Sequence, residues 1–112
     1  MKKIEAIVRP QTIEDAREAL LEAGVTGMTI IEVRGIGRQK GHTELYRGSE
    51  YQIDFLPKMK IEIIVPDKIL ETAVSTIMRV AKTGQIGDGK IFISTIDEAI
   101  RIRTEESGDS AL

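Results

Sequence analysis

The stretch TGQIGDGKIFIS, residues 83–94, carries the reading on which the fold turns. Gly84 to Lys90 match the first seven positions of the Walker A pattern G-x-x-x-x-G-K-[ST], but the eighth residue is Ile91. A Walker loop joins a strand to a following helix, whose N-terminus adds N–H groups and a positive dipole to phosphate binding. Here the order is reversed. The preceding residues, DKILETAVSTIMRVAKTG, place Ile69, Ala73, Ile77 and Val80 at helical spacing, flanked by Leu70, Val74 and Ala81. The following KIFISTI reads as a strand. The helix end nearest the glycines is therefore an electronegative C-terminus. This context excludes the Walker reading, and the missing hydroxyl at Ile91 is the smaller reason.

Working outward, KMKIEIIVP (58–66) is the clearest strand: Met59, Ile61, Ile63 and Val65 face one way, Lys58, Lys60 and Glu62 the other. Asp67, directly after Pro66, is expected to cap the helix that follows. At the N-terminus KKIEAIVR alternates at Ile4, Ala6 and Val8 and reads as a strand ended by Pro10. TIEDAREALLEAG follows as a helix, with Thr12 the expected N-cap, a stripe of Ile13, Ala16, Ala19, Leu20 and Ala23, and Gly24 as its stop. MTIIEVRG (28–35) is a second strand, with Ile31 and Val33 opposed to Glu32 and Arg34. AIRIR (99–103) reads as a last short strand, and TEESGDSAL as a polar, mobile tail. The order strand–helix–strand–strand–helix–strand is that of an α+β, ferredoxin-like βαββαβ fold, two helices on one face of an antiparallel sheet. Ile7, Ile30 and Ile64 fall on the opposite parity from the inward residues, which suggests that another copy of the chain buries the outer face.

Composition narrows the function. The chain has 112 residues, one domain's worth, with 30% charged residues and a net charge of −2. That balance gives no electrostatic case for bulk nucleic-acid binding. Absence of cysteine excludes disulfides and thiol chemistry, and His42 is the only histidine. There is neither a secretory signal nor an apolar run of about 18 residues to span a membrane, so a cytoplasmic protein is expected.

Gly84, Gly87 and Gly89 have two readings. In one, Gly84 ends the helix and Gly87-Asp88-Gly89 is a turn. In the other, successive N–H groups form an anion nest with Lys90 at its mouth. Residue chemistry alone favours the turn. Arg101 and Arg103 shift the balance: two apart on a strand, they share a face about 7 Å apart and form a fork suited to phosphate. Residues 37–56 form a long polar loop without regular pattern, with Arg38, Lys40 and Arg47 and the tip YRGSEY; loops of this length in small domains are often functional.

Three segments, EVRGIGRQKGHTELYRGSEY, TGQIGDGKIFI and IRIRT, closely resemble the PII signal-transduction proteins, sensors of nitrogen, carbon and energy status. The resemblance runs from Met1 to about Thr104, although Gln11 and Ile36 stand where many members have Phe. It implies a non-enzymatic regulator, a homotrimer whose single domain, residues 1–112, carries a T-loop (37–55), a B-loop (82–90) and a C-terminal loop (103–112). It implies ATP or ADP between subunits, with Gly37, Arg38, Gly87, Asp88, Gly89, Lys90, Arg101 and Arg103 at the phosphates. Thr29, Gly35 and Ile64 would line the base and ribose end. 2-Oxoglutarate would bind beside MgATP: Gln39 would help hold Mg²⁺, Lys58 would pair with a ligand carboxylate, and backbone at Gln39, Lys40, Gly41 and Gly87 would complete the site.

By the same resemblance, Tyr51 is a candidate for uridylylation and Ser49 for phosphorylation by a modifying enzyme. Arg47 and Tyr51 would contact a target such as an ammonium channel, a nitrogen-metabolism enzyme or a regulator, with no nucleic acid bound and no membrane insertion. A small phosphatase or ATPase on the same scaffold is the alternative, using Lys90 and the arginines, but no base or nucleophile is evident. An RNA-binding module of RRM type ranks last, since Phe92 is the only stacking candidate on the strands.

Overall fold

A computed structural model describes residues 1–36, 43–46, 49–52 and 55–112, with 43–46 and 49–52 as backbone only. The chain runs β1 (Lys2–Val8), α1 (Ile13–Glu22), β2 (Thr29–Gly35), β3 (Thr43–Tyr46), β4 (Ser49–Gln52), β5 (Leu56–Val65), α2 (Leu70–Ala81) and β6 (Lys90–Thr95). Four strands form one antiparallel sheet in the order β2-β5-β1-β6. This is the expected α+β, ferredoxin-like arrangement. No helix among the described residues is long and apolar enough to cross a membrane.

Alternation sets the core. Ile4, Ala6 and Val8 of β1 and Ile61, Ile63 and Val65 of β5 point to the helix side and are buried. Ala16 and Leu20 of α1 and Ala73, Ile77 and Ala81 of α2 close over them. Small residues on both helices allow close approach, while each buried Ile or Leu contributes about 1.5–3 kcal/mol. α1 ends as expected: Gly24 has φ +95, Gly24 N–H donates to Leu21 O and Val25 N–H to Leu20 O. This is the left-handed closure that glycine adopts most readily.

Several local expectations need correction. Neither helix is capped by the side chain chosen for it. Thr12 is buried in a 3₁₀ turn (Pro10–Thr12) without a side-chain cap bond. Asp67 opens another 3₁₀ turn (Asp67–Ile69) and pairs with the Met1 amine at 3.0 Å. α2 stops at Ala81 with Lys82 already extended, so Gly84 belongs to the loop beyond it. Register also reverses β2: Ile30 lies opposite inward-facing Ile61, and Ile31 and Val33 lie opposite Lys60 and Lys58 on the outer face. β2 is an edge strand, so its helix-side residues Glu32 and Arg34 remain exposed and apolar parity was misleading there.

The pattern-free stretch contains a hairpin, β3 with β4, in which Tyr46 lies opposite Ser49. The last strand is absent: Ile100 makes one bridge to Ser107, and residues 102–104 turn. The tail is ordered, ending in a 3₁₀ turn (Gly108–Ala111) with Gly108 N–H donating to Ala99 O.

On the outer face the charged residues pair. Glu5 lies 3.5 Å from both Lys3 and Lys60, and Glu62 lies 3.8 Å from Lys3 and 3.2 Å from Lys60. The Glu62 hydrogen bond is the main reason the Lys60 ammonium titrates above its ordinary range. Truncating the core tests this packing. Ile61→Ala should cost about 2–5 kcal/mol in denaturant unfolding, whereas Leu21→Ala, at an exposed site, should cost about 0.5 kcal/mol or less.

Candidate functional site

The loop from Lys82 to Gly89 is organised around one carboxylate. Asp88 Oδ2 accepts from Thr83 N–H at 2.8 Å and from Gly84 N–H at 2.9 Å. Oδ1 accepts from the Thr83 hydroxyl and from Arg9 Nη1. The Thr83 hydroxyl in turn accepts from Gln85 N–H at 3.2 Å. These bonds hold the Asp88 carboxyl well below the usual carboxylate range, Thr83 first and Arg9 next.

Glycine is required where this loop turns. Gly84, Gly87 and Gly89 have φ of +85, +105 and +103. At Gly89 there is a second reason: a Cβ would lie 1.7 Å from Ile7 O, so the loop rests directly on the backbone of β1. Both the turn and the close approach thus explain the glycines that sequence left between two readings.

Two cations brace the loop from the sheet. Arg9, just past β1, donates from Nη2 to Ile86 O at 3.0 Å as well as to Asp88. Lys58, near the start of β5, donates to Gly87 O at 2.9 Å. Partial burial, then the nearby Arg9 guanidinium, pull the Lys58 ammonium below its ordinary range, while Asp88 opposes them. Gly35 closes the group: a Cβ there would sit 4.0 Å from Lys58 Cγ. Lys90 opens β6 opposite Ile7 and is exposed. A cleft of about 470 Å³ runs beside the loop, between α2 and β6, lined by Val8, Ile77, Met78, Lys82, Asp88 and Lys90 among others.

The structure therefore gathers Gly35, Lys58, Gly87, Asp88, Gly89 and Lys90 at one end of the sheet. It does not bring Thr29, Ile64, Arg101 and Arg103 to them. Thr29 lies opposite Glu62, and Ile64 opposite Lys3, at the far end. Lys58 and Ile64 are six residues apart on β5, about 20 Å at the rise of a strand. Arg101 and Arg103 follow β6 at that far end and do not form the expected strand fork. Arg101 instead finds its partners in the tail that follows. Arg101 O accepts from Glu105 N–H and its N–H donates to Glu106 O, while its guanidinium pairs with Glu106 at 3.5 Å and donates to Leu112 O at 3.1 Å.

Gly37, Arg38, Gln39, Lys40, Gly41 and Arg47 lie outside the described residues, and Ser49 and Tyr51 are described only as backbone of β4. Sequence reasoning missed Arg9 and Thr83. Arg9 meets Asp88 from 79 residues away, and nothing near it in the chain marks it. Thr83 carries a signal, a hydroxyl five residues before a loop aspartate, but a weak one.

A family model described as nitrogen regulatory protein P-II matches residues 1–106. Among curated relatives, nitrogen regulatory protein P-II 1 of Escherichia coli (strain K12) is 63% identical over 112 residues, covering all of both chains. The nitrogen regulatory protein P-II of Klebsiella oxytoca is 62% identical and that of Rhodobacter capsulatus 57%, each also over the full length of both chains.

Two measurements check the loop. Gly89→Ala should displace the Thr83 and Gly84 amide resonances and destabilise the chain clearly more than Gly84→Ala, since a Cβ at Gly84 meets nothing within 4 Å. Acid titration checks Asp88. Its folded carboxyl titrates below the unfolded value, about 3.9, so its contribution is complete above that pH and is lost as pH falls through the folded value. Asp88→Asn should therefore make stability fall less steeply below about pH 4.

Proposed function

The chain belongs to the nitrogen regulatory protein P-II family, and from that premise we propose that it senses ATP or ADP together with 2-oxoglutarate and reports them through residues 37–55. The observation that carries this reading is the placement of Lys58. Its ammonium is part-buried, bonded to Gly87 O at 2.9 Å, and set just inside β5 where the chain returns from residues 37–55. A dicarboxylate taken by Lys58 would thus touch both the glycine loop and the root of the long loop. Glycines with left-handed backbone and Lys90 beside them suit phosphate oxygens. In this reading residues 82–90 form the B-loop, 103–112 the C-terminal loop, and Gln39 helps hold Mg²⁺ between nucleotide and 2-oxoglutarate.

One chain cannot offer a single nucleotide both Lys90 and the far-end group of Thr29, Ile64, Arg101 and Arg103. Two copies side by side can, which supports a homotrimer with sites between subunits. The outer sheet face fits that assembly: Ile7, Ile31, Val33 and Ile64 flank the paired charges of Lys3, Glu5, Lys60 and Glu62. Arg47 and Tyr51 then contact the target protein, with Tyr51 or Ser49 available to a modifying enzyme. The output is regulation rather than turnover, in keeping with relatives named as regulatory proteins. Asp88, acidic and fully hydrogen-bonded, would make a poor general base.

Calorimetry tests the switch. ATP should bind more tightly with 2-oxoglutarate and Mg²⁺ present, by about 5–150-fold for an ordinary coupling, and Lys58→Ala should abolish that gain. An oligomer that binds no nucleotide would sink the proposal.

A further inference from the structure

We propose that Arg9 is a positioning residue of the phosphate loop, neutralising Asp88 from within so that a turn built on a carboxylate can accept a polyanion. The inference rests on the nucleotide reading above and deepens it. Asp88 presents a problem for that reading: a negative group among the glycines would repel phosphate. Its side chain is also saturated. Two amides, a hydroxyl and a guanidinium meet its two oxygens, and a carboxylate offers about four acceptor sites. The side chain therefore shapes the loop and has no lone pair left for magnesium or ligand.

Arg9 is the cation that balances it. Its guanidinium spans the loop, reaching Asp88 and Thr83 Oγ1 through Nη1 and Ile86 O through Nη2. A planar fork can hold these acceptors together, which a lysine could not. Among the described residues, Lys58 also faces this cluster, but its ammonium is bonded to Gly87 O and is claimed by the dicarboxylate. Arg9 and Asp88 are both largely covered, with side-chain exposures of 18% and 22%, so water screens the pair only in part.

If Arg9 acts through charge, its loss should be repaired by removing the charge it balances. ADP affinity is measured by calorimetry for wild type, Arg9→Gln, Asp88→Asn and the double variant, at low and high salt. Arg9→Gln should weaken ADP about five- to tenfold at low salt, and less at high salt, because an uncompensated carboxylate then faces the phosphates. The double variant should recover most of that loss, since Asn keeps a carbonyl acceptor without the charge. Asp88→Asn alone, which keeps only one of the two acceptor oxygens, should weaken ADP less than Arg9→Gln does.

An Arg9→Gln protein that binds like wild type, or a double variant no better than Arg9→Gln, overturns the inference. Should Arg9→Gln fail to assemble, the double variant decides: one that assembles but binds ADP tenfold more weakly than Asp88→Asn overturns it. A wild-type protein that binds neither ADP nor ATP overturns the nucleotide reading and this inference together. Wild-type binding with an inert Arg9 substitution overturns the inference alone.

Discussion

Strand β1 is hydrogen-bonded along both edges, to β5 and to β6, and the site depends on that double pairing. The β1–β6 ladder ends at Ile7 and Lys90. One residue earlier, Gly89 passes so close to Ile7 O that no side chain fits between them. The ladder thus delivers the glycine loop to the end of β1, where Arg9 waits to grip it. On the other edge, Ile7 faces Lys60, which sets Lys58 two residues further along at the same end of the sheet. Remove either pairing and Arg9, Lys58 and Asp88 have no reason to meet.

The two faces of that sheet are built on different physics. The helix side is an apolar core held by non-directional burial, with Ile4, Ala6, Val8, Ile61, Ile63 and Val65 all at 2% exposure or less. The outer side is ionic at its centre and apolar around it. Lysine and glutamate alternate across the strands so that each carboxylate has two ammonium neighbours and each lysine two carboxylates. Such a lattice contributes little stability when exposed, since water competes for each charge. It gives instead a surface with directional registry, the kind of feature that sets how copies of a chain align.

Most of the architecture was legible in the residues. Period-two alternation placed Ile4, Ala6, Val8, Ile61, Ile63 and Val65 inward, and helical spacing placed Ala16, Leu20, Ala73 and Ile77. It failed where the buried side of an element is incomplete. β2 is an edge strand, so both its faces carry apolar residues and parity could not choose between Ile30 and Ile31. It failed again at IRIR, whose alternation reads as a strand. Among the described residues it makes only the isolated bridge from Ile100 to Ser107, and Glu105 and Glu106 fold the backbone into a turn around Arg101.

Sequence by itself determined the buried faces of β1, β5 and the two helices, where the helices run, and that a glycine loop follows a helix rather than leading into one. Those properties depend on short-range periodicity and on the conformational freedom of single residues, which local sequence encodes. Only the tertiary structure decided the role of Asp88, the partnership of Arg9 and Thr83 with it, the brace from Lys58 to Gly87, and the separation of Lys90 from Arg101. Each of these depends on which strand lies beside which. That is a matter of contacts between residues tens of positions apart, whose geometry no local pattern carries.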